Sequence, residues 1–372
     1  MTTNHKHAKI ENIITQNKID TIIQSILKET TMDNHKIWET PIYSKRQINN
    51  AGKTLSNPDI SDSERTEALS ILNNWRASHA YPLQVIYNNL RCNNPNAIVV
   101  QRLKRLDSIV NKIQRFPNMQ LYKMQDLGGC RVIVDTIDDV YRTVNKYQKS
   151  RIRHKLKRNY DYINEPKTSG YRCYHMVYQY HSDKNEKYNN MLIEIQVRTK
   201  LQHIWATAVE MMGIYTKSNL KASQGDEDTL RFFTLISSLF AIEEGTPICP
   251  NTSSDVNILL QEINELDRKN HIIDILSALN VSIYNVNQKD NKSDYYILIL
   301  NYKEKYVRIN SFSKSKIGIA TKLYDMLERN ATDDENIVLV SATSFNALKN
   351  AYPNYFVDIH TFIETLNKYK TI

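Results

Sequence analysis

Cysteine is scarce in this 372-residue chain, and the four that occur, Cys92, Cys130, Cys173 and Cys249, are scattered with no CxxC pair. That spacing argues against a zinc site and against a disulfide framework, and a reducing cytoplasm is the plain reading. Long apolar runs are also missing. No stretch approaches the roughly 18 apolar residues of a membrane span, and the polar start Met1-Thr2-Thr3-Asn4-His5-Lys6-His7 is followed by no apolar signal core. There is no internal repeat and no low-complexity tract. What remains is a globular composition, 41% hydrophobic and 24% charged, with a length suited to two or three compact units.

Charge is unevenly spread. Of the net +9, the residues from 246 onward hold 14 Lys/Arg against 15 Asp/Glu, which leaves 35 against 25 before them. The first two thirds is basic and the last third near neutral. A basic domain favours polyanionic partners, nucleotides or nucleic acid; a solvated surface would carry the same charge.

Helical periodicity marks residues 8–29, then about 63–74 and 83–90. Between 98 and 245 strands of period two alternate with helices, an α+β pattern with a mixed sheet flanked by helices. Gly245-Thr246-Pro247 and Pro250–Ser254 form the best linker. Beyond it the pattern predicts a helix near 255–279, strands at 281–287, 294–301, 304–311 and 336–341, and a helix at 314–329. The division expected is 1–90, a helical extension; 91–249, the densest unit; and 250–372, a small C-terminal α+β unit.

Four segments could carry chemistry. The periodicity predicts one helix over Gln101–Arg115, with Leu103, Leu106, Val110 and Ile113 on its core face. Lys104, Ser108 and Lys112 fall opposite, and Arg102 sits at the edge. This is either a solvated basic face or a cationic array for a triphosphate, which needs several donors at fixed spacing. Asp126-Leu127-Gly128-Gly129-Cys130-Arg131 puts a carboxylate before two glycines and a strand. It reads as a turn, or as a Mg²⁺ ligand with close backbone approach and Arg131 stacking on a base. Within 171–180, Tyr171 and His175 share a strand face; an aromatic there can stack on a nucleobase, though a lone histidine often serves a core. In Ile193–Thr199 the parity sends Ile193, Ile195 and Val197 inward and lines up Glu194, Gln196 and Arg198 on the other face.

Taken in order, Arg102-x-Lys104-x-x-x-Ser108-x-x-x-Lys112, Asp126-Leu-x-Gly-x-Arg131, Pro166-Lys-x-x-Gly170-Tyr171-x-x-x-His175 and Glu194-Ile-Gln196-Val-Arg198-Thr199 resemble the RelA/SpoT synthetase domain. The resemblance implies a nucleotidyltransferase-like fold and transfer of pyrophosphate from ATP to a ribose 3′-hydroxyl, with AMP leaving. It implies that Arg102, Lys104, Ser108 and Lys112 hold the ATP phosphates and that Arg131 packs on adenine. Asp126 and Glu194 would bind Mg²⁺, Glu194 would also assist proton removal, and Tyr171 would stack on the acceptor's base beside His175 and Gln196. No His-Asp pair of the family's hydrolase domain is present.

The acceptor is addressed by a basic run. Lys146, Lys149, Arg151, Arg153, Lys155, Lys157 and Arg158, with His154, exceed what GDP or GTP needs and would suit tRNA, since phosphate contacts dominate nucleic-acid affinity. A strand and loop that merely attract nucleotides would look the same. The whole chain also resembles the fused toxin–antitoxin (CapRel-type) members of the family, through Ile71–Arg76, Gln202-His203-x-Trp205 and Tyr352-Pro353-Asn354-Tyr355. That resemblance implies a C-terminal domain like a degenerate zinc finger. Its Tyr352 and Tyr355 would cover the adenine site, tRNA 3′-CCA ends would be the acceptor, and a phage capsid protein would trigger release. A (p)ppGpp synthetase and a catalytically weak nucleotide-binding regulator are the alternatives.

Overall fold

The computed structural model describes residues 38–57, 59–216, 218, 220, 225–278, 282–285, 294–301, 303–304, 306–332, 334–342, 344–352 and 359–370. The helix expected over 8–29 lies outside them, as does Tyr355.

Three helices open the described chain: α1 (Lys45–Ser56), α2 (Asp62–Ser78) and α3 (Ala80–Asn93). Sequence sets the starts of the first two, because Ser44 with Gln47 and Ser61 with Glu64 form reciprocal capping boxes. Then follow β1 (Ile98–Leu103), α4 (Leu106–Arg115), β2 (Gly128–Val134), α5 (Ile137–Gln148), β3 (Lys155–Asp161), β4 (Tyr174–Gln179), β5 (Leu192–Thr199), α6 (Lys200–Tyr215) and α7 (Glu227–Glu243). The last third adds α8 (Val256–Asn270), α9 (Ile272–Ala278), β6 (Ser282–Asn285), β7 (Tyr295–Asn301), β8 (Tyr306–Phe312), α10 (Ile317–Arg329), β9 (Glu335–Ser341), α11 (Phe345–Ala351) and α12 (His360–Lys370). The helix expected over 255–279 is split at His271, whose φ of 52° is left-handed.

One expectation is corrected here. Gln101–Arg115 is not a single helix. Ile98-Val99-Val100 is β-branched and alternates, so β1 takes Arg102 and Leu103 into the sheet. Arg105 is extended, with φ −64° and ψ 148°, and α4 begins only at Leu106. Arg102 therefore projects from a strand and Lys104 from the junction, while Ser108 and Lys112 remain on the helix.

The strands form one mixed sheet in the order β3-β4-β5-β2-β1-β9-β7-β8-β6. β2 and β5 are parallel, β1 and β9 antiparallel, and the first two thirds of the chain joins the last third where β1 pairs with β9. On one face Val99, Leu103, Val132, Ile193, Ile195 and Val197 are buried with α3 and α5. On the other, Val100 and Ile133 pack with α6, α7 and the C-terminal helices. A third cluster joins α1 and α2 to α4 through Trp75, Ile109 and Ile113, and a fourth packs α10 on β7 and β9. Among the described residues no helix is long and apolar enough to cross a membrane.

Candidate functional site

Strand parity builds the site. Arg102 is opposite Gly129, and Gly129 is opposite Glu194. One step along, Arg131 is opposite Gln196, and Gln196 is opposite His175. Arg102, Arg131, Glu194, Gln196 and His175 thus project from one sheet face, as period two requires. Gly129 leaves the space between Arg102 and Glu194 open, since a Cβ there would meet nothing nearer than the Glu194 carbonyl at 3.9 Å. A cleft of about 280 Å³ results, lined on this face together with Lys104, Asp126, Lys167, Tyr171, Arg198, Glu210 and Tyr352.

Asp126 is the junction of the cationic array. Its Oδ2 accepts from Lys104 Nζ and from Lys112 Nζ, each at 2.9 Å. Burial opposes its ionisation, but the two ammonium groups outweigh burial and lower its pKa to about 2. Its Oδ1 is buried with no hydrogen-bond partner among the described residues. Burial pulls the Lys104 pKa down, against the pull of Asp126.

Glu194 is held on both oxygens. Oε1 accepts from His175 Nδ1 at 2.9 Å and Oε2 from Gln196 Nε2 at 2.8 Å. Burial works against its charge, yet the His175 bond prevails and its pKa is lowered. The other ring nitrogen of His175 meets the Tyr171 hydroxyl at 3.0 Å. Burial disfavours the imidazolium, but Tyr171 and Glu194 outweigh it, and the His175 pKa is raised well above the ordinary value of 6.5.

The sign of this pairing gives a first prediction. The stabilisation from protonated His175 is fully present below pH 6.5 and is lost as pH rises through its raised pKa. That from ionised Glu194 is present above its ordinary value of 4.5 and lost as pH falls. The melting-temperature gap between the wild type and His175→Gln should therefore be widest between about pH 4.5 and 6.5 and close under alkaline conditions. A gap unchanged from neutral to alkaline pH would show that no charged pair forms.

Tyr171 is placed by Gly170, whose φ of 83° is left-handed; a Cβ there would approach Ser237 to 2.9 Å and Trp205 to 3.0 Å. Ser237 Oγ donates to the Gly170 carbonyl at 2.6 Å, so α7 fixes this turn. Lys167 lies 4.2 Å over the Tyr162 ring and 5.4 Å from that of Tyr171. Tyr160 and Tyr162 stack at 5.7 Å, and Tyr162 meets His175 edge-on. A row of rings thus runs from the sheet edge into the cleft.

Not every expected residue converges. Ser108 is half-buried on α4, one turn before Lys112, and does not line the cleft. The basic run lies apart from it on the sheet edge. Lys155, Lys157 and Arg158 belong to β3, which is exposed along almost its whole length. Arg151 precedes that strand, exposed, and Arg153 pairs with Asp183.

The adenine-facing residue expected, Arg131, is covered by the chain's own C-terminal third. Its Nη1 donates to the Ala351 carbonyl at 3.2 Å, and its guanidinium lies 5.7 Å from the Tyr352 ring centre. Tyr352 is 2% exposed, and its hydroxyl donates to the Gln101 carbonyl at 3.3 Å.

Lys167 and Glu210 line the cleft without having been expected there. Lys167 stands inside the Pro166–Gly170 motif and could have been found that way, whereas Arg198, aligned with Glu194 by parity, comes to the cleft with it. Arg198 is buried, and burial together with Arg131 lowers its pKa to about 10. Glu210 comes from α6, and no local pattern points it into the cleft.

Asp126 fits a divalent cation of the oxygen-seeking kind, and Glu194 lines the same cleft with its two oxygens held by His175 and Gln196. Asp126 has an unused buried oxygen, and Mg²⁺ is commonly held by one or two carboxylates, with waters and substrate phosphates completing its shell.

Comparison with known proteins follows the same segment. Residues 101–220 match the family model described as a region found in RelA / SpoT proteins. The GTP pyrophosphokinase YjbM of Bacillus subtilis (strain 168) is 30% identical over 140 residues, 37% of this chain and 66% of that protein. YwaC, a GTP pyrophosphokinase of the same organism, is 30% identical over 138 residues, 36% of this chain and 64% of that one. The chain thus spans slightly less than two thirds of the length of these curated relatives. The small alarmone synthetase 1 of Bacillus subtilis, solved with its product pppGpp, is 28% identical over 40% of this chain and 73% of that one, with a TM-score of 0.33. A GTP pyrophosphokinase family protein from Streptococcus pneumoniae is 24% identical over 60% and 100%, with a TM-score of 0.37.

Proposed function

We propose, from the RelA/SpoT region carried at residues 101–220, that this chain transfers the pyrophosphate of ATP to a ribose 3′-hydroxyl. The observation that carries the reading is the Lys104–Asp126–Lys112 array facing Glu194 across one cleft. Arg102, Lys104 and Lys112 hold the triphosphate, Ser108 stands one turn before Lys112 on the same helix, outside the cleft lining, and Arg131 packs on adenine. Tyr171 stacks on the acceptor's base, with His175 and Gln196 holding Glu194 in place. Mg²⁺ held by Asp126 and Glu194 would neutralise phosphate charge. The 3′-oxygen forms a bond to the β-phosphorus while the β-phosphorus–oxygen bond to the α-phosphate breaks. The bridging electrons leave with AMP, and the hydroxyl proton goes to the Glu194 carboxylate, which is ionised and therefore able to accept it. Positioning and charge neutralisation supply most of the rate in such transfers.

For the acceptor, the exposed basic strand β3 and the aromatic row beside it favour RNA, whose 3′ end would enter past Tyr160 and Tyr162. A guanine nucleotide is the second reading, favoured by the names of the two curated relatives, both GTP pyrophosphokinases. Residues 250–372 act as a regulatory unit after an extension (1–90) and a catalytic unit (91–249), with Tyr352 covering the adenine site; a like part for Tyr355 rests on the family resemblance. Its likeness to a degenerate zinc finger, its role as a built-in antitoxin in phage defence and its release by a capsid protein rest on the family resemblance alone.

One experiment decides the acceptor. The full chain carrying Tyr352→Ala, which opens the adenine site, is incubated with γ-labelled ATP, deacylated tRNA, GDP and GTP together, and label is expected in tRNA. Charge reversal at Arg153 and Lys157 should cut tRNA labelling and reduce the logarithmic salt slope of tRNA binding by about 1–2. Label confined to GDP or GTP, and indifferent to those changes, would establish the second reading. Label in neither would remove the transferase reading.

A further inference from the structure

Helix α4 carries Ser108 and Lys112, yet its N-cap residue Arg105 makes no side-chain cap. The first amides of a helix need acceptors. One comes from far along the chain: Glu328 of α10 accepts the Leu106 N–H on Oε1 at 2.7 Å. The other oxygen of Glu328 is bound by Arg76 Nη1 at 2.5 Å, and Arg76 Nη2 reaches Asp325 at 2.7 Å. Arg76 Nη1 also lies 3.4 Å from the Lys104 carbonyl, and the guanidinium rests 5.0 Å over the Tyr324 ring. Tyr324 in turn donates to Glu328 Oε1 at 3.0 Å. Arg76 and Glu328 are both buried, with side chains 1% and 6% exposed.

The backbone on either side of Arg105 is therefore gripped by one cluster. Arg76 contacts it at Lys104, whose ammonium binds Asp126, and Glu328 contacts it at Leu106, where the helix bearing Ser108 and Lys112 begins. A carboxylate at this helix end also complements the helix dipole. We infer that Glu328 is a positioning residue for the phosphate-holding array, so that the C-terminal third which covers the base-binding face also shapes the triphosphate-binding one. The inference rests on the nucleotide reading above and deepens it: the regulatory unit supplies a structural part of the site it closes.

The test uses the full chain with Tyr352→Ala as parent, so that the base-binding face is open. Binding of a non-hydrolysable ATP analogue with Mg²⁺, and of AMP, is measured by calorimetry. Adding Glu328→Ala should weaken the ATP analogue by about tenfold, the scale of one lost helix cap, while AMP changes by less than about twofold. Glu328→Gln, which keeps an acceptor for the Leu106 amide, should bring the ATP analogue back to within about threefold of the parent. If Glu328→Ala does not fold, Glu328→Asp carries the same expectation, because its carboxylate is one methylene too short to cap Leu106 while still facing Arg76. Unchanged affinity for the ATP analogue, or equal weakening of analogue and AMP, overturns the inference. A parent that binds no ATP analogue overturns the nucleotide reading itself, and the inference with it.

Discussion

Pyrophosphate transfer should fall by about three orders of magnitude in Asp126→Asn and again in Glu194→Gln, equivalent to roughly 4 kcal/mol of lost transition-state stabilisation. Asp126 meets two ammonium groups on one oxygen and keeps the other oxygen unused in a buried setting. An amide there brings no charge to a cation and leaves Lys104 and Lys112 without their common counter-ion. In the proposed reaction Glu194 takes the hydroxyl proton, and Gln cannot take one. Both variants should remain folded, because neither side chain belongs to an apolar cluster and both lysines retain some exposure, 17% and 26%. Single-turnover assays with labelled ATP, alongside thermal melts of each variant, make the check. Near-wild-type turnover in either variant would show that the carboxylate does not serve the reaction.

The second large effect is expected at Tyr352. Replacing it by Ala in the full chain should raise turnover by roughly tenfold or more and turn a harmless chain into one that arrests bacterial growth. The Tyr352 ring lies on Arg131, the Ala351 carbonyl accepts from Arg131, and the Tyr352 hydroxyl bonds to the backbone of β1. A ring over a guanidinium contributes about 0.5–2 kcal/mol, and burial of a large aromatic adds more. A closed state favoured by only a few kcal/mol is one that a partner preferring the open state can reverse. Tyr352→Phe should lie between wild type and Tyr352→Ala, since it keeps the ring and loses the hydroxyl. Growth arrest must disappear when Asp126→Asn is added. If Tyr352→Ala is stably expressed yet as harmless and as slow as the wild type, Tyr352 does not hold the site closed.

Much of this arrangement is legible in the chain. The alternation Ile193, Ile195, Val197 against Glu194, Gln196, Arg198 gives both a buried face and a cleft-lining one, and each inward residue is fully buried. Tyr171 and His175 met as their spacing suggests, although β4 itself starts only at Tyr174. The start of α4 was misread because Gln101–Arg105 satisfies a helical period as well as a strand one, and only pairing of β1 on both edges decides between them. Proximity to the cleft was not legible for the basic run, since charge density says nothing about which sheet edge a segment occupies. The Arg76–Glu328 contact spans 252 residues, and no local pattern encodes it.

Where β9 meets β1, two register pairs, Gln101 with Ser341 and Arg102 with Val340, join strands that are far more fully paired on their other sides. A sheet under load parts along its least-stitched line, and here that line runs beside Arg102. Separation there would leave the four pairings from β3 to β1 and the three from β9 to β6 untouched. It would also turn β1 into a bare edge, an open template of backbone donors and acceptors of the sort that proteins ordinarily keep covered.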